Sequence, residues 1–138
     1  MAYRLLDVLS AAIFTALDVP ALTALATGGI SDDPAQATAF PYVVYELGKR
    51  NLGGLGTSEL AEADLRVRAF TKGPGLKSVQ AIDATVQELL TNQALTMTGY
   101  TQAGRVFYDD TILVPVSEIN GEKVHEVIST FRIVAEAA

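Results

Sequence analysis

The chain has no cysteine, which excludes disulfides, thiolate metal ligands and a cysteine nucleophile. It has one histidine, His125. Charge is also sparse: 19% of residues are charged, against about a quarter in ordinary soluble domains. Two readings fit that deficit. One is simply an Ala-rich composition. The other is that apolar surface is covered between subunits. Basic residues are outnumbered, 10 against 16, giving a formal net charge of -6. An acidic chain is poorly suited to gripping nucleic acid, because phosphate neutralisation needs Lys and Arg. It remains suited to lining a channel through which DNA slides without sticking.

Motifs of chemistry are missing too. No G-x-S-x-G elbow is present. The stretch Gly53-Gly54-Leu55-Gly56-Thr57 is glycine-rich but lacks the Gly-Lys-Ser/Thr ending that reaches phosphates. Between Val8 and Ile30 only Asp18 is charged, and Ala24-Leu25-Ala26 imitates a cleavage site. Arg4 is offset by Asp7, however, and Asp18 and Pro20 split the apolar run. The expectation is neither a secretory signal nor a membrane span. No repeat or low-complexity tract divides the 138 residues, so one domain over 1–138 is expected.

What is present alternates between two periods. Tyr3 to Leu17 reads as a helix, with Leu5, Leu6, Leu9, Ala12, Ile13, Ala16 and Leu17 forming an apolar stripe. Pro20 suits the start of a short second helix, which Gly28-Gly29 is expected to end. Ser31 to Ala39 reads as loop. Pro41 to Lys49 is β-branched and aromatic, hence a strand. Asn51 to Thr57 reads as flexible turn. Leu60 to Thr71 is an alternating strand, with a bulge expected near Ala61 where Leu60 and Ala63 break the period. Lys72-Gly73-Pro74-Gly75 turns the chain into an amphipathic helix from Leu76 to Thr91, striped by Leu76, Val79, Ile82, Val86, Leu89 and Leu90. Strands are expected over Ala94–Tyr100, Arg105–Ser117 and Lys123–Ala135. Asn120-Gly121 between the last two suits a type I′ hairpin turn. Pro115 favours an edge or a bulge. The order implies an α+β fold: a mostly antiparallel sheet with helices on one face.

Candidate functional residues are few. His125 beside Glu126 lacks a positioned nucleophile and reads as a lone, partly exposed histidine. Asp32-Asp33 and Asp109-Asp110 would hold a hard cation only if folding joined the two pairs. Adjacent Asp residues more commonly mark turns. Neither a catalytic residue, nor a metal, nor a cofactor is expected. Glu62, Asp64, Arg66 and Arg68 share one strand face. Such a face is usually solvated and worth little, but in a ring it could set the register between subunits. The strand aromatics Tyr42, Tyr45, Phe70, Tyr100, Phe107 and Tyr108 read as packing.

Phe40-Pro41-Tyr42-Val43-Val44-Tyr45-Glu46-Leu47-Gly48 is the most informative segment. It is taken together with the helix Leu5–Leu17, the strand Asp64–Phe70 and the helix Val79–Leu90. In that order these segments resemble the tail-terminator, or tail-completion, proteins of long-tailed phages and gene transfer agents. The resemblance spans most of the chain. It implies a non-enzymatic virion protein that forms a hexameric ring on the end of the tail tube, stops tube growth and offers its other face to the head-side connector. The implied partners are further copies of the chain, the tail tube protein and a connector or stopper protein. DNA would cross the lumen without specific binding. Assembly would occur in the host cytoplasm, and the product would reside at the neck of the particle. On that reading, candidate contact residues are Asn51, Leu52, Gly53, Gly54, Leu55, Gly56 and Thr57 in one loop, the charged set Glu62, Asp64, Arg66 and Arg68, and the hairpin Asn120-Gly121. A head-side stopper or adaptor is the alternative role. A small α+β enzyme or ligand-binding domain is the competitor from another class, and a defined concave pocket would favour it.

Overall fold

Leu5, Leu9, Ile13 and Leu17 recur every fourth residue and are all buried in the first helix, α1 (Leu5–Leu17). The computed structural model describes residues 5–32, 39–53, 60–73 and 76–137. After α1 come α2 (Pro20–Thr23), β1 (Ile30–Ser31), β2 (Tyr42–Gly53) and β3 (Leu60–Lys72). Then follow α3 (Lys77–Leu90), β4 (Tyr100–Gln102), β5 (Phe107–Ile119) and β6 (Glu122–Ala137). The α+β expectation holds. The sheet runs β1-β2-β3-β6, and β4 and β5 both pair with β6. Every pairing is antiparallel except β1 with β2.

The sheet has two unlike faces because its strands alternate. On β3, Ala61, Ala63, Leu65, Val67 and Ala69 point inward and are buried. They meet Val127, Phe131, Ile133 and Ala135 of β6, and the stripes of α1 and α3 cover them. In α3 the buried stripe is Val79, Ile82, Val86 and Leu90. Removing one such aliphatic side chain to Ala ordinarily costs about 2–5 kcal/mol. The helices thus lie on one face, and the other face carries charged and aromatic side chains with some aliphatic ones.

Several local expectations are corrected. Gly28-Gly29 does not end α2, which stops at Thr23 with Ala24 as its cap. Instead Gly28 donates its N–H to the Pro41 carbonyl (2.7 Å) and Gly29 takes a φ of 106°. The pair brings the chain alongside β2, where Ile30 and Ser31, the latter read as the start of a loop, form a short parallel strand with Val43–Val44. The irregularity expected at Ala61 lies on the opposite strand. Asn51 pairs with Ala61 and Gly53 with Leu60, so the extra residue is Leu52, while β3 continues in regular register with β6. Ala94–Tyr100 is largely not a strand. Gln102 satisfies that backbone with its side chain, accepting from the Leu95 N–H and donating to the Gln93 carbonyl. Only Tyr100–Gln102 joins the sheet.

Candidate interaction surfaces

The charged set is placed as alternation requires. Glu62, Asp64, Arg66 and Arg68 all lie on the helix-free face. Across β2 they face Arg50, Gly48, Glu46 and Val44, and across β6 they face Val134, Arg132, Thr130 and Ile128. Arg68 is the hub. Its guanidinium lies 3.2 Å from Glu46 and 3.4 Å from Glu126. Asp64 and Arg66 are exposed. Further along the face Tyr42 stacks on Phe70, with ring centroids 4.7 Å apart. The Tyr42 hydroxyl is held above its ordinary pKa, first by burial and then by the Glu126 carboxylate. Mixed charge with internal ion pairs does not make a phosphate-binding stripe.

The two candidate loops fall at opposite ends of the sheet. Asn51, Leu52 and Gly53, expected to be flexible turn, are the last residues of β2 and pair with Ala61 and Leu60. Gly54, Leu55, Gly56 and Thr57 lie outside the described residues. At the other end Asn120 and Gly121 turn β5 into β6 with φ of 53° and 79°, the left-handed pair that a type I′ turn demands. Lys72, the last residue of β3, is anchored to Glu122 beside this turn (3.1 Å). β3 spans the interval between the ends in 13 residues, which at strand rise is about 40 Å.

The structure adds a surface that sequence reasoning missed. Phe107, Ile112, Leu113, Val116 and Ile119 of β5 are each about half exposed. β5 pairs β6 along one side only, and among the described residues nothing covers its other edge. The available signal was Thr111-Ile112-Leu113-Val114-Pro115-Val116, an apolar run without alternation. Pro115 falls where the β5–β6 register shifts, between Val114 and Ser117, as its missing N–H predicts. Near the start of the strand Arg132 packs over the Phe107 ring at 4.6 Å and pairs with Asp109 at 3.6 Å.

Between α3 and β5 runs an open groove of about 710 Å³, bordered by Gln80, Gln87, Leu113 and Val127. Beneath it lies a polar chain. Tyr108 and Thr111 are hydrogen-bonded, Thr111 meets Ser129 at 2.9 Å, and Ser129 donates to the Asp83 carboxylate, which also accepts from Gln87 at 2.7 Å. Asp83 and Ser129 are buried, and this chain satisfies them. It ties α3 to β6 and β5. No histidine joins it, since His125 is engaged elsewhere. His125 is buried, not partly exposed as expected, and its Nε2 donates to the Gly73 carbonyl (2.9 Å). A second groove, about 460 Å³ between α1 and residues 94–98, is lined by no titratable side chain. The acidic pairs are not brought together. Asp32 follows β1 and lies 3.5 Å from the Ser10 hydroxyl, whereas Asp109 is on β5 at the opposite flank of the sheet. Asp33 lies outside the described residues. Among the described residues no three His, Asp or Glu side chains are grouped to hold a metal, and no helix is long and apolar enough to cross a membrane.

The described residues thus form a sheet with helices on one face, a charged opposite face and an apolar free flank. The family model of tail completion protein gp17 matches residues 11–136, and the chain belongs to that family. Among solved structures it is similar to a chain of the virion of a native gene transfer agent particle. The TM-score is 0.80 at 19% identity, covering 99% of this chain and all of the other. At that identity the likeness establishes a shared fold. No curated protein matches the chain.

Proposed function

We propose that the chain forms a hexameric ring that caps the tail tube of a phage or gene transfer agent particle, ends tube growth and receives the head-side connector. It acts by contact and carries out no reaction. One observation carries this reading beyond the family: a single sheet offers loop-bearing ends about 40 Å apart and an apolar flank between them. A ring subunit needs two axial contacts and a lateral one, and a cyclic ring repeats a heterologous lateral contact until it closes. Growth stops when the exposed axial face no longer matches an incoming tube subunit. The Asn51–Thr57 segment and the Asn120-Gly121 turn are the axial contacts in this scheme. The helix-free face, carrying Glu46, Asp64, Arg66 and Arg68, mixes both signs of charge and gives DNA no basic track.

The test is electron microscopy of particles from cells lacking this gene. Unattached heads beside tails of uncontrolled length establish termination. Detached tails of normal length assign the head-side joining role instead. Intact particles overturn both. Shortening the loop by Gly54–Thr57, beyond the Gly53–Leu60 pair that closes the ladder, is expected to disturb joining and leave the melting transition in place.

A further inference from the structure

Four long strands lie side by side in the order β2, β3, β6, β5, each antiparallel to the next. The sheet therefore ends on two strands of opposite direction, and both ends are open. Among the described residues β5 pairs only β6, and β2 beyond Val44 pairs only β3. An open edge is a template for another strand, which proteins usually blunt with charge, proline, a bulge or a cover. β5 is blunted at Pro115, but from Asp110 to Val114 its ladder is regular, and Ile112 and Leu113 stand half exposed on opposite faces.

We propose that this edge of β5 takes the open β2 edge of a second copy of the chain, antiparallel, so that the sheet continues from subunit to subunit. The proposal rests on the ring reading and names its lateral contact. Three features select a second copy. The first is direction. Rotation about an axis along the strands preserves each copy's strand direction, so β5 of one copy meets β2 of the next antiparallel, as elsewhere in the sheet. The second is facing. The same rotation keeps all helices on one side. A register with Leu113 opposite Leu47 sets two apolar side chains on the helix side. It also sets Ile112 opposite Gly48, where the glycine leaves open space. The third is charge. β5 carries Asp109, Asp110 and Glu118 and no Lys or Arg, whereas β2 beyond Glu46 carries Lys49 and Arg50. Pairing β5 with β5 would set acidic strand against acidic strand with no cation brought by the partner strand.

The absence of cysteine makes the test clean. Residues directly opposite in an antiparallel ladder have Cα atoms about 4.5–5.5 Å apart, within disulfide reach. Gly48→Cys with Ile112→Cys reads the proposed register, and Gly48→Cys with Asp110→Cys or Val114→Cys reads the registers two residues either side. Oxidation is carried out on the folded purified chain and on lysates in which particles assemble, followed by denaturing electrophoresis. One of the three double variants is expected to give a ladder of whole-chain multiples, while a mixture of its two single variants stops at the dimer. A dimer from I112C alone overturns the proposal in favour of two-fold pairing of β5 edges. No ladder from any pair, with each variant folded, overturns it as well. So does a map of the native neck in which a strand of a different protein lies on β5. The gene-removal phenotype is independent of these outcomes. Overgrown tails without a ladder would sink the strand pairing and leave termination standing. A ladder with tails of normal length would do the reverse.

Discussion

Gly28 has no room for a side chain. A Cβ built there would sit 1.7 Å from the Ala39 carbonyl oxygen and 2.7 Å from the Pro41 oxygen. Both obstacles are backbone, so no side chain can swing aside. Gly28→Ala must separate the α2–β1 connection from the entry to β2. The expected cost is at or above the upper end of overpacking penalties, about 3 kcal/mol, read as a drop in the urea midpoint with unchanged slope. Tyr45 makes a different prediction. It is buried, and its hydroxyl lies 3.3 Å from both the Oγ and the carbonyl of Ser10. Burial raises its pKa above the ordinary value, the Ser10 bond opposes that rise, and Asp32 adds to it. The folded chain therefore keeps the phenol proton at a pH where the unfolded chain has released it. Its contribution is complete below the unfolded value of about 10 and is lost as pH rises through the folded value. Tyr42 shifts the same way, so Tyr45→Phe should flatten the alkaline decline in part. Near neutral pH the variant loses a hydrogen bond worth about 0.5–1.5 kcal/mol. Denaturant titrations near neutrality and above about pH 10 check both halves.

Among the elements, α3 is held to the sheet by more than its apolar stripe. Asp83 accepts from Ser129 of β6 and from Gln87. Ser129→Ala removes one partner from a buried carboxylate, and an unsatisfied buried group costs about 1–3 kcal/mol. Thermal melts should show that loss, and hydrogen exchange should place it in α3 and the middle of β6. The elements also show where sequence reading succeeds. α1, α3 and β3 were legible because each has one buried face, and burial of one face imposes a period. The charged face of β3 was legible for the same reason. Asn120-Gly121 was legible because few residues accept two left-handed angles. β5 was legible as a strand with an edge or a bulge at Pro115, but nothing local reports that α1 and α3 leave its apolar side chains half exposed. Ala94–Tyr100 failed because Gln102, a side chain, does what a neighbouring strand would have done. The extra residue at Leu52 was assigned to the wrong strand because a break in alternation does not say which partner carries it.

At the scale of the whole molecule, the exposed strand carries a hazard that the proposed assembly would remove. A long apolar edge invites indiscriminate pairing, and a net charge of -6 gives limited electrostatic protection against it. The strand persists despite that hazard, which fits a chain whose working state covers it. Lysine on an edge strand blocks pairing, so Ile112→Lys with Val116→Lys separates folding from assembly. Both side chains are about half exposed in the single chain, at 53% and 48%. Their replacement should therefore alter stability by no more than about 0.5 kcal/mol each. A lateral contact through β5 would suffer twice. Two ammonium groups would have to be desolvated, and the one at position 112 would lie one residue from the basic Lys49 of the neighbouring β2. The expected outcome is an unchanged melting curve, loss of the oligomer by light scattering, and particles that reproduce the defect of gene removal. If the variant assembles normally, β5 is not the lateral surface, and the ring must close through another part of the sheet. If it unfolds, the strand belongs to the core after all, and its exposure in the single chain does not describe its energetic role.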